Sequence, residues 1–337
     1  MIATNKIAEV LDFVPEEAII NRIKYFEFFS RSGSAKLELS QPDLVIERSN
    51  LVNLLARMAE LEGAHISFQN QFEGFIRTGE KVEIRLKNLD TGEEFRMRVD
   101  VLVGADGAQS VVSRAASRDG HLLASLIQAK TEFREGVNKD TTQVWFDSNL
   151  TRYFSWLIPE SDRIATVGLI ADGSEKAEEA LNRFLLSKQV EPLDLQVAPV
   201  PMHRFEFFGN HVAYGNNIFF VGDAGAQVKA TTVGGVVAGL HGARALANAI
   251  LNGRNYHKEL QGLKRELDLH LLFRGILNRF DERDYDQLIG IIDGRLKYVL
   301  REWTRDELTQ SFFKLILAEP RLITLGAKAC LRSILGN

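Results

Sequence analysis

The sequence predicts a mixed α/β (α+β) fold: a layered strand–helix domain, interrupted by an antiparallel sheet and followed by helices. Three patterns point to it: a strand–helix–strand run over residues 42–68, two apolar strands that each end in Gly and Asp, and a block of strands between Leu122 and Ile170. Taken in order, Pro42–Glu47 (PDLVIE) is apolar and opened by a proline, as short strands are. Ser49 stands where an N-cap belongs, and Leu51, Leu54, Leu55, Met58 and Leu61 follow at helical spacing up to Gly63. Ala64–Phe68 returns to strand character. Val82, Ile84 and Leu86 alternate with charged residues, Asp90-Thr91-Gly92 turns the chain, and Phe95, Met97 and Val99 alternate again, an antiparallel ribbon that feeds a buried strand at Val101–Val103. The segments ASLIQAKTEF, TQVWFD, YFSWLI and IATVGLI predict the inserted sheet. A helix is predicted over Ser174–Ser187, with Ala180, Leu181, Phe184 and Leu185 on one face. Ile218–Val221 is another buried strand, leading through a glycine-rich loop into a small-residue helix over Gly234–Leu251. Beyond Asn255 the predicted helices are Leu263–Phe280, Asp284–Ile292, Arg305–Leu317 and Arg321–Leu335. The chain then divides into residues 1–120 with 208–254, the inserted sheet at 121–207, and a helical region at 255–337.

Bulk properties exclude several function classes. A net charge of −4 gives no electrostatic reason to expect nucleic acid as a partner. Cys330 is the single cysteine, which rules out an internal disulfide and a cysteine-based metal cage and fits a reducing compartment such as the cytoplasm. No run of about 18 uncharged apolar residues occurs, so any membrane contact is expected to be peripheral. The seven histidines show no metal-ligand spacing and are read as ordinary surface or core residues; no metal site is predicted. There is no GxSxG elbow and no P-loop. The charge-rich C-terminal helices are read as solvated faces over an apolar stripe that closes a substrate channel, with Phe312, Phe313, Leu315 and Ile316 in its core.

Chemistry is concentrated in two motifs, Val101-Leu-Val-Gly104-Ala-Asp106-Gly107 and Ile218-Phe-Phe-Val-Gly222-Asp223-Ala-Gly225. In each, an apolar strand runs into Gly, Asp and Gly with a helix to follow. Glycine suits close approach of backbone to a ligand, and a carboxylate at the strand's carboxyl end is placed to accept hydrogen bonds from sugar-like hydroxyls. One such motif is usually only a turn. Gly234-Gly235 opens a helix whose small residues allow close packing and whose exposed N–H groups favour a neighbouring anion.

GADGAQSVVSR, followed about a hundred residues later by IFFVGDAGAQVKATTVGGV, resembles the paired flavin motifs of FAD-dependent aromatic hydroxylases and geranylgeranyl reductases. The resemblance implies an FAD-binding Rossmann-like domain in the discontinuous segment. It assigns Asp223 to the flavin ribityl chain, Asp106 to the neighbourhood of the pyrophosphate and a nicotinamide cofactor, and Arg48 to the flavin phosphates, with Gly104, Gly107, Gly222, Gly234 and Gly235 shaping the cradle. Tyr153-Phe154-Ser155-Trp156-Leu157-Ile158-Pro159 is similar to the aromatic–x–Trp–x–aromatic–Pro signature of the reductases. It implies that Phe154, Trp156, Ile158 and Pro159 line a prenyl channel; a sheet packing on its own core is the competing reading. Ala230 stands where the family has proline and Val233 where a small residue is common, which bears on the loop beside the flavin ring.

The implied activity is reduction of isolated C=C bonds in the prenyl (geranylgeranyl) chains of isoprenoid lipids, with NADPH or a ferredoxin as electron donor and no catalytic residue or proton donor assigned. An FAD-dependent monooxygenase or hydroxylase, and a non-catalytic fragment or lipid-binding module, remain the alternatives. The sequence holds no GxGxxG. The family places that fingerprint before the segments seen here, so the FAD-binding domain is expected to be incomplete, truncated at its N-terminus, to bind FAD poorly and expose strand edges unless an upstream or complementing segment supplies the unit.

Overall fold

In the computed structural model, which describes residues 1–116, 121–171, 174–206, 212–302 and 304–335, residues 1–41 hold elements that alternation did not reveal. These are β1 (Ile2–Ala3), α1 (Lys6–Leu11), β2 (Ile19–Phe29) and the first part of β3 (Ser34–Ile46), whose end is the predicted 42–47 strand. Next comes α2 (Arg48–Leu61), capped by the Glu47 carboxylate, which accepts from Ser49 N at 3.4 Å; the cap lies two residues before the predicted Ser49, which is itself helical. Ala64–Phe68 is not a strand: it has no pairing partner among the described residues, and Phe68 is exposed. The ribbon is three-stranded, β4 (Asn70–Thr78), β5 (Lys81–Asn88) and β6 (Glu94–Val99), and its Val82 and Ile84 pack on Ile218 and Phe220. Then follow β7 (Leu102–Gly104) and the short α3 (Val111–Ala115).

The predicted inserted sheet is present as β8 (Leu123–Glu132), β9 (Thr141–Trp145), β10 (Ser155–Pro159) and β11 (Ile164–Ala171), followed by α4 (Ser174–Lys188) and a further strand, β12 (Pro192–Pro201). It is larger than predicted. Eight strands run in the order β1-β3-β2-β9-β10-β11-β8-β12, antiparallel except where β2 meets β9. Hydrogen bonding therefore crosses from residues 2–46 into the 121–207 block. One face is covered by α4, whose Ala177, Leu181 and Phe184 pack on Ile127, Leu157, Val167 and Leu169. Strand alternation turns Trp156 and Ile158 to the other face.

A second sheet, β13 (Ala213–Tyr214), β14 (Ile218–Phe220) and β7, positions the two glycine motifs. β14 and β7 are parallel, with Leu102 opposite Ile218 and Gly104 opposite Phe220, so both motifs leave the same sheet edge. β7 is paired on one side only, which leaves Val103 40 % exposed where a buried strand was predicted. The remaining helices are α5 (Val236–Asn252), α6 (Tyr256–Glu259), α7 (Gln261–Leu277), α8 (Glu282–Ile291), α9 (Lys297–Glu302), α10 (Leu308–Ala318) and α11 (Arg321–Leu335). Arg305 lies in the turn before α10 and not within a helix.

The Trp156 indole lies across β11 because Gly168 has no side chain; a Cβ there would sit 2.6 Å from Trp156 Cζ2 and 2.8 Å from the Ile127 carbonyl. Gly168→Ala is expected to destabilise the chain by about 1–3 kcal/mol, the range for overpacking a core. A lowered urea midpoint together with shifted tryptophan emission would show it; an unchanged midpoint would contradict the packing described.

Candidate active site

A cavity of about 2070 Å³ lies between the Trp156 face of the large sheet, the carboxyl edge of the small sheet and the C-terminal helices. Ordinary small-molecule sites occupy about 300–1,000 Å³, so this volume suits two large ligands side by side.

Its polar end is built by close approach of backbone. Gly222 turns with φ +64°, which lets Asp223 leave β14 toward the cavity. Helix α5 then starts against that turn: a Cβ on Gly235 would be 2.9 Å from Asp223 Oδ1, and one on Gly239 would be 3.3 Å from Gly222 Cα. Gly235 is the N-cap and supplies no side-chain cap, so the first N–H groups of a 17-residue helix face the cavity. Gln227 braces the turn. Its Oε1 accepts from Gly222 N at 2.8 Å, its Nε2 donates to Tyr256 Oη at 3.0 Å, and Tyr256 Oη donates to the Phe220 carbonyl at 3.2 Å.

Asp106, Asp223, Gly222, Gly234, Gly235 and Arg48 all line this one cavity, together with Gly107. Gly104 is buried beneath it, where a Cβ would meet Phe220 and Val112 at 3.0 Å. The two carboxylates differ in their hydrogen bonding. Asp106 caps α3: Oδ1 accepts from Ser110 Oγ at 2.5 Å, and Oδ2 from Val111 N at 2.6 Å and Val112 N at 3.2 Å. The Asp223 carboxylate accepts no hydrogen bond among the described residues; burial pushes it above the usual range, against the pull of Arg48 and His121. His121 is held beside the turn, its Nε2 3.1 Å from the Ala224 carbonyl oxygen.

The apolar end is the sheet face. Phe154, Trp156 and Ile158 line it; Pro159 does not, because alternation directs its ring to the opposite face. Trp156 Nε1, Thr142 Oγ1 and Thr232 Oγ1 are buried on the wall with no hydrogen-bond partner among the described residues. Such atoms fit polar edges of a bound molecule.

Sequence reading missed the ion pairs that close the cavity. The turn before α10 is not a solvated charged face. Lys229, in the loop before α5, pairs with Asp306, and Arg305 pairs with Asp43 of β3. Thr4 Oγ1 donates to Asp306 Oδ2 at 2.6 Å. Burial by itself would raise the Asp306 carboxyl; Lys229 and Arg305 outweigh it and hold the group at about 2. Nearby, His270 of α7 is buried on the cavity wall with Nδ1 2.6 Å from Thr231 Oγ1. No pattern in the sequence separates these residues from ordinary surface charges.

A family model described as FAD binding domain matches residues 16–255. A digeranylgeranylglycerophospholipid reductase of Methanococcus vannielii is 26% identical over 279 residues, 76% of this chain and 70% of that one. Its namesake in Methanocaldococcus jannaschii is 25% identical over 335 residues, covering 89% and 84%. Among solved structures, a geranylgeranyl bacteriochlorophyll reductase-like protein from Thermoplasma acidophilum superposes with a TM-score of 0.77 at 18% identity, over 97% of this chain and 88% of that one. A flavin-dependent halogenase gives 0.55 at 15% identity, over 93% and 60%. No helix among the described residues is long and apolar enough to cross a membrane.

Two outcomes follow from the charges. Asp306→Ala strands Lys229 and is expected to cost about 3 kcal/mol, with most of it recovered in Lys229→Met/Asp306→Leu; an unchanged urea midpoint for the single variant would refute the pair. Because the folded Asp306 carboxyl lies below its unfolded value of 3.8, its stabilisation is present above that pH and lost as pH falls toward 2. Asp223 has the opposite sign. Its raised carboxyl costs stability above the unfolded value, so Asp223→Asn is expected to raise the melting temperature of the ligand-free chain by about 2 °C at pH 7. That gain should vanish below pH 3.8.

Proposed function

The chain belongs to the FAD binding domain family, and from that premise we propose that it is an FAD-dependent reductase of isolated C=C bonds in prenyl chains, of the geranylgeranyl type. The observation that carries the proposal is that one continuous cavity joins the Asp223–Gly235 turn to the Phe154–Trp156–Ile158 face. The names of the methanogen relatives support the substrate class. Membership of that family carries oxidoreductase chemistry on FAD.

Reduced FAD supplies the hydride. The chain's part is to hold and orient. Asp223 would accept hydrogen bonds from ribityl hydroxyls, donors its carboxylate does not find among the described residues. Arg48, exposed in the first turn of α2, offers its guanidinium to the phosphates. The N-terminus of α5 would stabilise negative charge on a bound flavin, and Gly234 and Gly235 would keep side chains out of the contact. Asp106 contributes by shaping α3, whose N-terminus its carboxylate fixes. Trp156, Phe154 and Ile158 would exclude water and hold the hydrocarbon chain on the sheet face. The electron donor is proposed to be NADPH or a ferredoxin, and the lipid is reached by peripheral contact with a membrane.

Incubating the chain anaerobically with FAD, dithionite and a geranylgeranyl lipid is expected to add one H₂ per double bond reduced, read by mass spectrometry. Trp156→Ala should lower the rate about tenfold or more through lost positioning. Oxygen-dependent NADPH consumption with an aromatic acid, and no change in the lipid, would instead indicate a monooxygenase. A protein that stays colourless after soaking in FAD would indicate a non-catalytic module.

A further inference from the structure

Reduction of an isolated C=C bond needs a proton as well as a hydride, and the cavity wall holds a buried group able to supply one. His270 is 2 % exposed and lies on the inner face of α7. Its Nε2 faces the Glu266 carboxylate one turn earlier, with Oε1 at 3.3 Å, off the line of a well-directed hydrogen bond. Its Nδ1 is 2.6 Å from Thr231 Oγ1. Thr231 belongs to the 228–233 loop, whose Val228 and Val233 pack in the same cluster as Trp156 and Ile158, and it lines the cavity. Glu266 is fixed in turn: it accepts from Leu308 N at 2.5 Å, from Thr309 N at 2.9 Å and from Thr309 Oγ1 at 2.5 Å. The negative charge of Glu266 beside Nε2 favours hydrogen on that nitrogen and leaves Nδ1 as the one that exchanges with the hydroxyl.

We propose that Glu266, His270 and Thr231 form a proton relay that opens on the substrate end of the cavity, with His270 as the store and Thr231 as the group that meets the alkene. The proposal rests on the prenyl reductase assignment made above. In the step, the imidazolium Nδ1–H passes to Thr231 Oγ1 while the hydroxyl's own hydrogen moves to one alkene carbon. The π electron pair forms that new C–H bond, and hydride from reduced FAD, with its two electrons, completes the other. His270 is left neutral and regains a proton from solvent. The charged groups that face it are Glu266 on its own helix, Lys229 of the loop and Asp306 of the turn before α10; burial outweighs the carboxylates and lowers its affinity for a proton. Turnover should therefore rise as pH falls through neutrality, changing about tenfold per pH unit above the imidazole's titration.

The test compares wild type with Thr231→Val, Thr231→Ser and His270→Gln in dithionite-driven reduction of a geranylgeranyl lipid, alongside ¹⁵N NMR of the histidine-labelled chain. Thr231→Val and His270→Gln are expected to lower kcat about 100-fold with KM within about twofold, the scale of general-acid catalysis. Thr231→Ser should restore kcat to within about fivefold, and the acid-side rise should be absent in His270→Gln. An unaltered pH profile in His270→Gln, or failure of serine to rescue, overturns the relay. Should wild type reduce no prenyl chain, the assignment of the reaction falls and the imidazole alone decides. An Nε2–H tautomer whose Nδ1 shift moves in Thr231→Val sustains the relay, and an Nδ1–H tautomer in wild type overturns it.

Discussion

Helix α5 begins against the Asp223 carboxylate, and the rest of the site is arranged around that contact. A side chain at Gly235 or Gly239 would push the helix off the Gly222–Asp223 turn. With the helix in place, its uncapped N-terminus, the Asp223 oxygens and the loop before it converge on one wall. Half-burying the Asp223 carboxylate is unfavourable, and the neighbouring Arg48 and His121 offset part of that cost. A ligand bearing hydroxyls would offset the remainder, which is why the turn is better suited to binding than to stability.

A second constraint ties distant parts of the chain to that wall. Lys229 sits a few residues before α5, and its partner Asp306 lies 77 residues later; Arg305 reaches back 262 residues to Asp43. These pairs draw the turn before α10 onto the loop, so the C-terminal helices roof the cavity. Thr4 joins the same network from the N-terminal segment. Buried ion pairs of this kind add little net stability beyond apolar replacements, but they fix which segments meet. The roof brings α7 close enough for His270 to touch Thr231.

What the sequence made legible was local. The four strands of the inserted sheet, α4 with its Leu181–Phe184 face, the ribbon turn at Asp90–Gly92 and the Gly–Asp turns all follow from periodicity and backbone chemistry within a dozen residues. Convergence of Asp106 and Asp223 was legible too, because parallel neighbours β7 and β14 deliver both motifs to one edge. Pairings between remote segments were not. β2 and β3 are long and pair with each other, and β2 joins β9 in parallel, which no local pattern announces. Arg305 and Asp306 read as surface charges because their partners are far away in the chain. Ala64–Phe68 has strand composition yet stays unpaired, and Pro159 shares the motif of Trp156 while facing the other way.

The most direct test is a crystal structure of the chain soaked with FAD and a geranylgeranyl lipid. The isoalloxazine should lie between Gly234–Gly235 and the Trp156 face, with the ribityl hydroxyls on Asp223 and the polyene beside Thr231. Electron density for the flavin anywhere outside this cavity, or a lipid chain seated apart from Trp156, would contradict the assignment.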